Sequence, residues 1–185
     1  MYGLVNKAVE QLVKSQFGED KWREIATKAN VAHSFISMDT YPDEVTYDLV
    51  DAASEILEIP AVDILESFGE HWIQYTVDEG YGELISMYGK SVPEFLQNMN
   101  KLHAQIRLSF PELNPPMITC EVKSTGELLV CYQSNRPGLA PMLVGLVKGL
   151  GKRFSTFVDV EYVPPFEQNQ TQEYFLVSYS NQKAA

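Results

Sequence analysis

The spacing of hydrophobic positions changes along this chain and divides it into a helical part and a mixed part. From residue 1 to about 110, apolar residues recur every three or four positions, which is typical of amphipathic helices. After Pro115 and Pro116 the apolar positions alternate, as they do in strands that bury one face. The pattern predicts the α+β class within one domain of 185 residues: a helical subdomain, followed at about 115–180 by a four-stranded antiparallel sheet with one inserted helix.

Capping signals mark where the helices of the first part begin and end. The segment Thr40-Tyr41-Pro42-Asp43 places an acid three residues after a capping threonine and predicts the start of a helix. That helix should end at Pro60, where the next one begins. Ser91-Val92-Pro93-Glu94 is a capping box, and the helix that follows it should end before Pro111.

Alternation and turn residues predict the sheet in more detail. Four strands are expected, with a helix over residues 139–154 between the second and the third. A polar loop containing Pro164 and Pro165 should join the last two strands. The predicted strands are Met117–Lys123, Leu128–Ser134, Thr156–Val163 and Glu173–Tyr179.

Acidic residues dominate one stretch of the chain. The net charge is −11, thirteen Asp and Glu lie from Asp39 to Glu83, and no Lys or Arg occurs between Lys28 and Lys90. A surface of this kind repels nucleic acid and anionic membranes, so neither is expected as a partner. The stretch is interpreted equally well as a solubilising face or as a docking surface for a basic partner.

The two cysteines, Cys120 and Cys131, form neither a disulfide framework nor a zinc pattern. If Thr125 and Gly126 close a two-residue hairpin, the two thiols lie opposite one another, and a redox pair is one interpretation. Two small core residues are the other. No apolar run reaches the roughly 18 residues of a membrane span. Together these features predict a cytoplasmic protein.

One histidine lies in a position that requires an explanation. His103 is about 12 residues into the capped helix, on the flank of an apolar stripe that includes Met99 and Leu102. A buried imidazole needs a partner, because an unpaired polar group in apolar surroundings is costly. His103 is therefore either an axial metal ligand that faces an apolar cavity or a histidine stabilised by the dipole of a helix C-terminus. His33 and His71 form no zinc triad with it.

A comb of polar side chains follows the second predicted strand. Tyr132, Ser134 and Arg136 are two residues apart, so in an extended segment they point to the same side. A phenol, a hydroxyl and a guanidinium on one side suit a carboxylate or a phosphate. The alternative interpretation is that Arg136 belongs to a surface ion pair.

Motifs of known enzymes are not found in the chain. Gly145, Gly149 and Gly151 lack the strand–turn–helix context of a phosphate loop, so close helix packing explains them better than a nucleotide site does. No nucleophile elbow and no HExxH zinc motif occurs. The sequence therefore does not predict an enzyme.

Taken together, these features resemble a known family. His103 on its capped helix, the double proline that ends at Pro116 and the Tyr-x-Ser-x-Arg comb resemble the haem nitric oxide/oxygen-binding (H-NOX) family, which is related to the haem domain of soluble guanylate cyclase. The likeness covers nearly the whole chain and looks closest to the cyanobacterial stand-alone branch. It also includes MYGLVNKA at the start, FGEHW at 68–72, EGYGELI at 79–85, LHAQIRLSFPEL at 102–113 and YQSNRPGLAPMLVGLVKGLGKRF at 132–154.

The resemblance implies a haem b cofactor between the helical part and the sheet. It gives His103 the role of proximal iron ligand and Pro116 that of distorting the porphyrin. It gives Tyr132, Ser134 and Arg136 the role of binding the haem propionates. The other implied pocket residues are Val5, Met99, Leu102 and Leu146, and the implied distal residues are Trp72, Met142 and Leu143.

The distal side of such a site decides which gas binds. Oxygen-binding relatives are similar to one another in placing a hydrogen-bonding tyrosine on the helix after the comb. The matching position here is Met142, and its neighbours Pro141 and Leu143 also lack a donor. The resemblance therefore implies NO and CO as ligands and the exclusion of O₂, with the indole of Trp72 as the remaining donor.

The resemblance also implies a signalling mechanism. NO bound opposite His103 would weaken or break the bond from His103 to iron, and the helix that carries His103 would then shift against the sheet. The expected receiver is a separate protein, either a histidine kinase or a cyclic-di-nucleotide signalling protein. Two other classes remain open: a non-haem interaction module that uses the acidic helical face, and a haem redox sensor.

Overall fold

Seven α-helices and four β-strands form the described part of the chain, residues 1–164 and 172–181, in this computed structural model. The predicted α+β class is confirmed. The polar loop predicted around Pro165 lies largely outside the described residues. The elements are α1 Gly3–Phe17, α2 Glu19–Lys28, α3 Asp43–Leu57, α4 Ala61–Thr76, α5 Gly82–Met87, α6 Val92–Ile106, β1 Met117–Ser124, β2 Glu127–Gln133, α7 Ala140–Arg153, β3 Thr156–Val163 and β4 Gln172–Asn181, with a π-helical segment, Val77–Tyr81, between α4 and α5.

Helix α6 begins and ends where its sequence signals predict. The Ser91 hydroxyl accepts a hydrogen bond from the backbone N–H of Glu94 (3.4 Å), and the Glu94 carboxylate accepts one from the N–H of Lys90 (2.8 Å). The first bond satisfies a donor that the first turn of a helix leaves unpaired, and the second ties the residue before the cap to that turn. The helix ends at Ile106, before Pro111. Its buried face consists of Val92, Phe95, Leu96, Met99 and Leu102.

Helix α3 begins differently from the prediction. It starts at Asp43, directly after Pro42, and no side chain caps its N-terminus. Thr40 instead forms an isolated β-bridge with Tyr2. The predicted threonine cap is therefore wrong, because the backbone of residue 40 is used in pairing with the start of the chain.

The four strands form one antiparallel sheet in the order β1-β2-β4-β3. Its inner face carries Leu128, Val130 and Val177, which are fully buried in a core shared with α6 and α7. Burial of this face holds α6 against the edge strand β1. The core thus places the helix that contains His103 beside the sheet.

Helices α4 and α7 cross in backbone contact. A Cβ atom on Gly145 would lie 1.8 Å from the carbonyl oxygen of Glu66, and one on Gly69 would lie 2.0 Å from that of Met142. Any larger residue at either position would force the helices apart. The prediction of close helix packing by the glycines of α7 is confirmed.

A β-bulge changes the expected arrangement of the cysteines. Ser124 pairs with Glu127, as in a two-residue hairpin, but the register shifts by one residue between Ser124 and Val122. As a result Cys120 pairs with Val130 and not with Cys131. Residues one register step apart point to opposite faces of a sheet, so the two thiols do not face one another. The redox-pair interpretation is contradicted by this register.

Part of the acidic stretch is neutralised within the described chain. Glu66 and Glu70 on α4 pair with Lys148 and Lys152 on α7, the first pair at 2.6 Å. These carboxylates therefore help to hold α4 beside α7. Among residues 1–164 and 172–181, no helix is long and apolar enough to cross a bilayer.

Candidate functional site

An apolar cavity lies where the helical part meets the sheet. It has two adjoining chambers of about 170 and 180 Å³. Together they reach the lower end of the roughly 300–1,000 Å³ found for small-molecule pockets. Both chambers are lined by Val5, Trp72, Met99, His103 and Leu146, each of which the resemblance assigns to the site.

The two chambers differ in their walls. One, called here the aromatic chamber, is lined by Tyr2, Tyr81, Phe95 and Phe110 and also by Leu102. The other, called here the comb chamber, is lined by the comb and by the remaining predicted residues. Those comb-chamber residues are Pro116, Tyr132, Ser134, Arg136, Met142 and Leu143. The fold thus brings every predicted site residue to one cavity.

His103 faces both chambers from α6. Its Nδ1 atom is buried and has no hydrogen-bond partner among residues 1–164 and 172–181. Burial lowers the pKa of His103 to about 4, and the nearby backbone carbonyl of Pro116 opposes this decrease. The ring is therefore neutral near pH 7, which is the form that binds a metal. A neutral, incompletely paired imidazole at an apolar cavity is suited to ligation.

The comb is only partly on a strand. Strand β2 ends at Gln133, so Tyr132 belongs to it while Ser134 and Arg136 lie in the bend that follows. The prediction that the strand reaches Ser134 is wrong by one residue. The bend is stabilised locally, because the Ser134 hydroxyl accepts a hydrogen bond from the backbone N–H of Arg136 at 3.0 Å. All three side chains still reach the same chamber.

Burial dominates the chemistry of the phenol in the comb. Tyr132 is only 7% exposed. Burial raises its pKa, and Ser134 and Arg136 oppose that increase by favouring the ionised form. The phenol therefore keeps its proton at neutral pH and can donate it in a hydrogen bond to an anionic oxygen.

Arg136 forms an ion pair, as the alternative interpretation of the comb predicts, with a partner that the sequence did not identify. Its Nε donates to Asp43 Oδ2 at 2.6 Å, its Nη2 lies 3.2 Å from Asp43 Oδ1, and its Nη1 donates to the carbonyl of Asn114. The ammonium group of Met1 also donates to Asp43, at 2.8 Å. Burial opposes ionisation of Asp43, but the two cations outweigh it and lower the pKa of the carboxyl below its ordinary value. No local pattern signals this contact, because Asp43 and Arg136 are 93 residues apart.

Most polar groups on the chamber walls form hydrogen bonds within the protein. The Thr46 hydroxyl donates to Asn6 Oδ1 at 2.6 Å, and the Thr76 hydroxyl donates to the carbonyl of Trp72 at 2.8 Å. The Tyr2 hydroxyl accepts the backbone N–H of Glu112 at 3.1 Å. The chambers are therefore apolar in practice, apart from His103 and the comb.

The donor set restricts the kind of metal site that fits. Among the described residues no group of three or more His, Cys, Asp and Glu could hold a metal ion. One imidazole is therefore the protein ligand available at this cavity. A metal inside a flat organic ring needs only such an axial ligand, and an apolar slot with a cation at its mouth fits a ring that has an anionic edge. The fold and the cavity thus define a candidate haem-binding domain.

Comparison with known families agrees with this class. The family model described as haem-NO-binding (HNOB) matches residues 2–162. The chain belongs to this family.

Curated relatives extend well beyond the matched region. Soluble guanylate cyclase gcy-35 of Caenorhabditis elegans is 30% identical over 163 residues, which cover 83% of this chain and 23% of the relative. Soluble guanylate cyclase 89Db of Drosophila melanogaster is 24% identical over 155 residues, with the same two coverages. The chain thus spans about a quarter of the length of these relatives.

Solved structures share the fold over almost the full length of the chain. An Fe(II) unliganded H-NOX protein from K. algicida has a TM-score of 0.85 at 21% identity, and the match covers 98% of each chain. An H-NOX protein from S. oneidensis in the Fe(II)NO state has a TM-score of 0.86 at 16% identity, and the match covers 98% of this chain and all of that one. At these identities the likeness establishes the fold.

Proposed function

We propose that this chain is a haem b sensor that binds NO and CO and excludes O₂. The observation that carries the proposal is that one apolar cavity is lined at once by His103, Pro116 and the three residues of the comb. Membership of the haem-NO-binding family supports it. When bound, haem supplies an iron atom that takes up diatomic gases.

In the proposed site His103 would hold the haem iron. The neutral ring follows from burial, which lowers the pKa of His103 to about 4. Metal-ligating histidines usually direct their second nitrogen to a carbonyl or carboxylate, and the carbonyl of Pro116 is the group available here. This arrangement couples the orientation of the imidazole to the double proline.

The comb is proposed to bind the two propionates at the mouth. Tyr132 is protonated and buried, and Arg136 supplies a planar fork that matches a carboxylate. Asp43 already occupies part of that fork. A propionate therefore shares Arg136 with Asp43 or displaces it.

The exclusion of O₂ is proposed because the side chains of α7 that line the comb chamber carry no hydrogen-bond donor. Met142 and Leu143 line the comb chamber and donate no hydrogen bond. O₂ taken up at such a site would need a hydrogen-bond donor for its partial negative charge, whereas NO and CO would not need one. Trp72 lines both chambers, and its rings pack against Phe68 and Tyr75 at centroid distances of 5.9 Å. We propose that these contacts hold the indole as a wall of the cavity.

The proposed signal is release of His103 when NO binds. Helix α6 would then be free to shift against the sheet, and a separate partner would read the shift. A histidine kinase or a cyclic-di-nucleotide signalling protein is the proposed receiver, in the cytoplasm, and the chain itself is proposed not to be an enzyme. The two cysteines are free, which fits a reducing compartment.

Reconstitution with haem tests the proposal. Purified protein should bind one equivalent of haem and show a Soret band, and His103→Gly should lose the ferrous spectrum and regain it when imidazole is added. His33→Gly is a suitable control, because His33 is exposed in the loop after α2. Protein that stays colourless would instead favour an interaction module, and a His103→Gly variant with an unchanged ferrous spectrum would refute the assignment of the ligand.

A further inference from the structure

Asn100 binds the edge strand of the sheet from the helix that carries His103. Its Nδ2 donates to the carbonyl of Ile118 at 2.6 Å, and its Oδ1 accepts the backbone N–H of Ile118 at 3.0 Å. The side-chain amide thus pairs with both backbone groups of one residue, as a neighbouring strand would. Two bonds to one residue fix distance and orientation together, which a single bond does not.

The strand that Asn100 binds has a free edge. Strand β1 is the first in the order β1-β2-β4-β3, so one row of its backbone groups has no strand partner among the described residues. Ile118 lies opposite Tyr132 in the antiparallel register. Since both backbone groups of Ile118 pair with Asn100, they point away from β2 to this free edge. Asn100 therefore satisfies two groups that the sheet leaves unpaired.

The position of this contact relates three parts of the candidate site. Asn100 is three residues before His103 on α6, so the two side chains lie on neighbouring parts of the helix surface. Ile118 is two residues after Pro116 and opposite Tyr132. The Asn100–Ile118 contact therefore links the position of His103 to that of Pro116 and to that of the comb.

We propose that Asn100 is a positioning residue that fixes the imidazole of His103 relative to the double proline and so sets the geometry of axial ligation. The inference rests on the proposed haem function. Apolar packing alone leaves a helix free to slide along a sheet by small amounts, because it has no direction. The paired hydrogen bonds remove that freedom at the turn next to His103.

Asn98 provides a matched control on the same helix. Its Nδ2 donates a hydrogen bond to the carbonyl of Tyr88 at 3.1 Å, and its Oδ1 accepts one from the ammonium group of Lys101 at 2.9 Å. Within the described part of the chain neither group of Asn98 bonds to the sheet. Asn98→Ala is the same substitution, asparagine to alanine, two residues earlier on α6, so it changes helix propensity by the same kind of amount. It therefore reports what loss of an ordinary helix-anchoring amide does to the protein.

The test combines amide hydrogen exchange of the apoprotein with resonance Raman spectra of the ferrous haem protein. In Asn100→Ala the N–H of Ile118 should exchange about tenfold faster than in the wild type, which corresponds to the loss of one net hydrogen bond. The iron–histidine stretching band should shift or broaden, because the imidazole of His103 then takes up several positions relative to the double proline. Asn98→Ala should leave both observables as in the wild type.

A second variant covers the case in which Asn100→Ala does not fold. Asn100→Asp keeps an acceptor for the N–H of Ile118 but places a carboxylate oxygen against the Ile118 carbonyl. It should keep the amide of Ile118 protected and still shift the iron–histidine band. The proposal is overturned if the band is unchanged in both Asn100 variants, or if Asn98→Ala shifts it equally. A wild-type protein with no iron–histidine band overturns the haem function itself, while the exchange rate of Ile118 still shows whether Asn100 holds the strand.

Discussion

The guanidinium of Arg136 and the carboxylate of Asp43 lie 2.6 Å apart, between Nε and Oδ2, at the comb end of the cavity. This contact joins the first turn of α3 to the bend after β2. Arg136 therefore already has a carboxylate partner within the protein. A ligand carboxylate has to share Arg136 with Asp43 or displace Asp43. The side chain of Arg136 is 18% exposed and that of Asp43 is 36% exposed, so the pair is only partly shielded from water.

Replacement of Asp43 by Asn should lower the free energy of unfolding of the apoprotein at neutral pH by about 1 kcal/mol. This is the upper end of the range measured for ion pairs that water still reaches. The pKa of Asp43 lies below its ordinary value of 3.8 in the folded protein. The unfolded state therefore binds this proton more tightly, and the stabilisation is complete above 3.8 and is lost as the pH falls through the folded value. Urea unfolding of both proteins at neutral and at strongly acidic pH measures this. A difference of equal size at both would contradict the assignment.

Arg136→Lys should keep the charge at the mouth but lose the planar fork. One charge-assisted hydrogen bond contributes about 1.5–3 kcal/mol, so haem should dissociate at least about tenfold faster. Transfer of haem to an excess of a scavenging apoprotein measures the rate. Arg23→Lys is the control, because Arg23 is an exposed residue of α2 paired with Glu19. Equal rates in the wild type and in Arg136→Lys would remove Arg136 from the proposed site.

Met142→Tyr should allow the ferrous protein to bind O₂. Met142 lines the comb chamber on α7, and the substitution introduces a phenolic donor there. Met142→Phe adds the same ring without the hydroxyl and should bind no O₂. Absorption spectra of the ferrous variants in air compare the two. An O₂ complex in both variants would mean that space in the chamber, not a hydrogen bond, limits O₂ binding.

Gly145→Ala should destabilise the protein by about 1–3 kcal/mol, as overpacking of a tight contact does. The added Cβ would lie 1.8 Å from the carbonyl oxygen of Glu66, so α4 and α7 have to separate. Gly82→Ala is the control, because its Cβ would meet no residue but Val77 within 4 Å, and the nearest atom is the side-chain Cγ1 at 3.3 Å. Urea midpoints of the two variants measure the difference. Equal midpoints would show that the crossing of α4 and α7 is not tightly packed.

Local signals predicted the elements of the site well. The capping box at Ser91 and the proline at 111 predicted both ends of α6 correctly, because helix ends are decided by groups a few residues apart. The comb was found for the same reason, although the strand ends one residue earlier than predicted. The resemblance then named the remaining cavity residues, and the fold brings them to one place.

Contacts between distant segments were not predictable from local pattern. Asp43 was interpreted as an acid in a helix cap, whereas it binds Arg136 across 93 residues. Asn100 gave no signal, because its partner is a backbone edge that exists only after β1 pairs with β2. The bulge beside Lys123 shifted the cysteines out of register for a similar reason. In each case the decisive group is supplied by tertiary structure.

The absorption spectrum of the ferrous protein under argon, air, CO and NO tests the central claim most directly. The spectrum under air should equal that under argon, while CO and NO should each give a distinct spectrum, with the NO form lacking the bond to His103. A stable spectrum of an O₂ complex under air would contradict the proposed selectivity. An NO complex that keeps His103 as a sixth ligand would contradict the proposed signal.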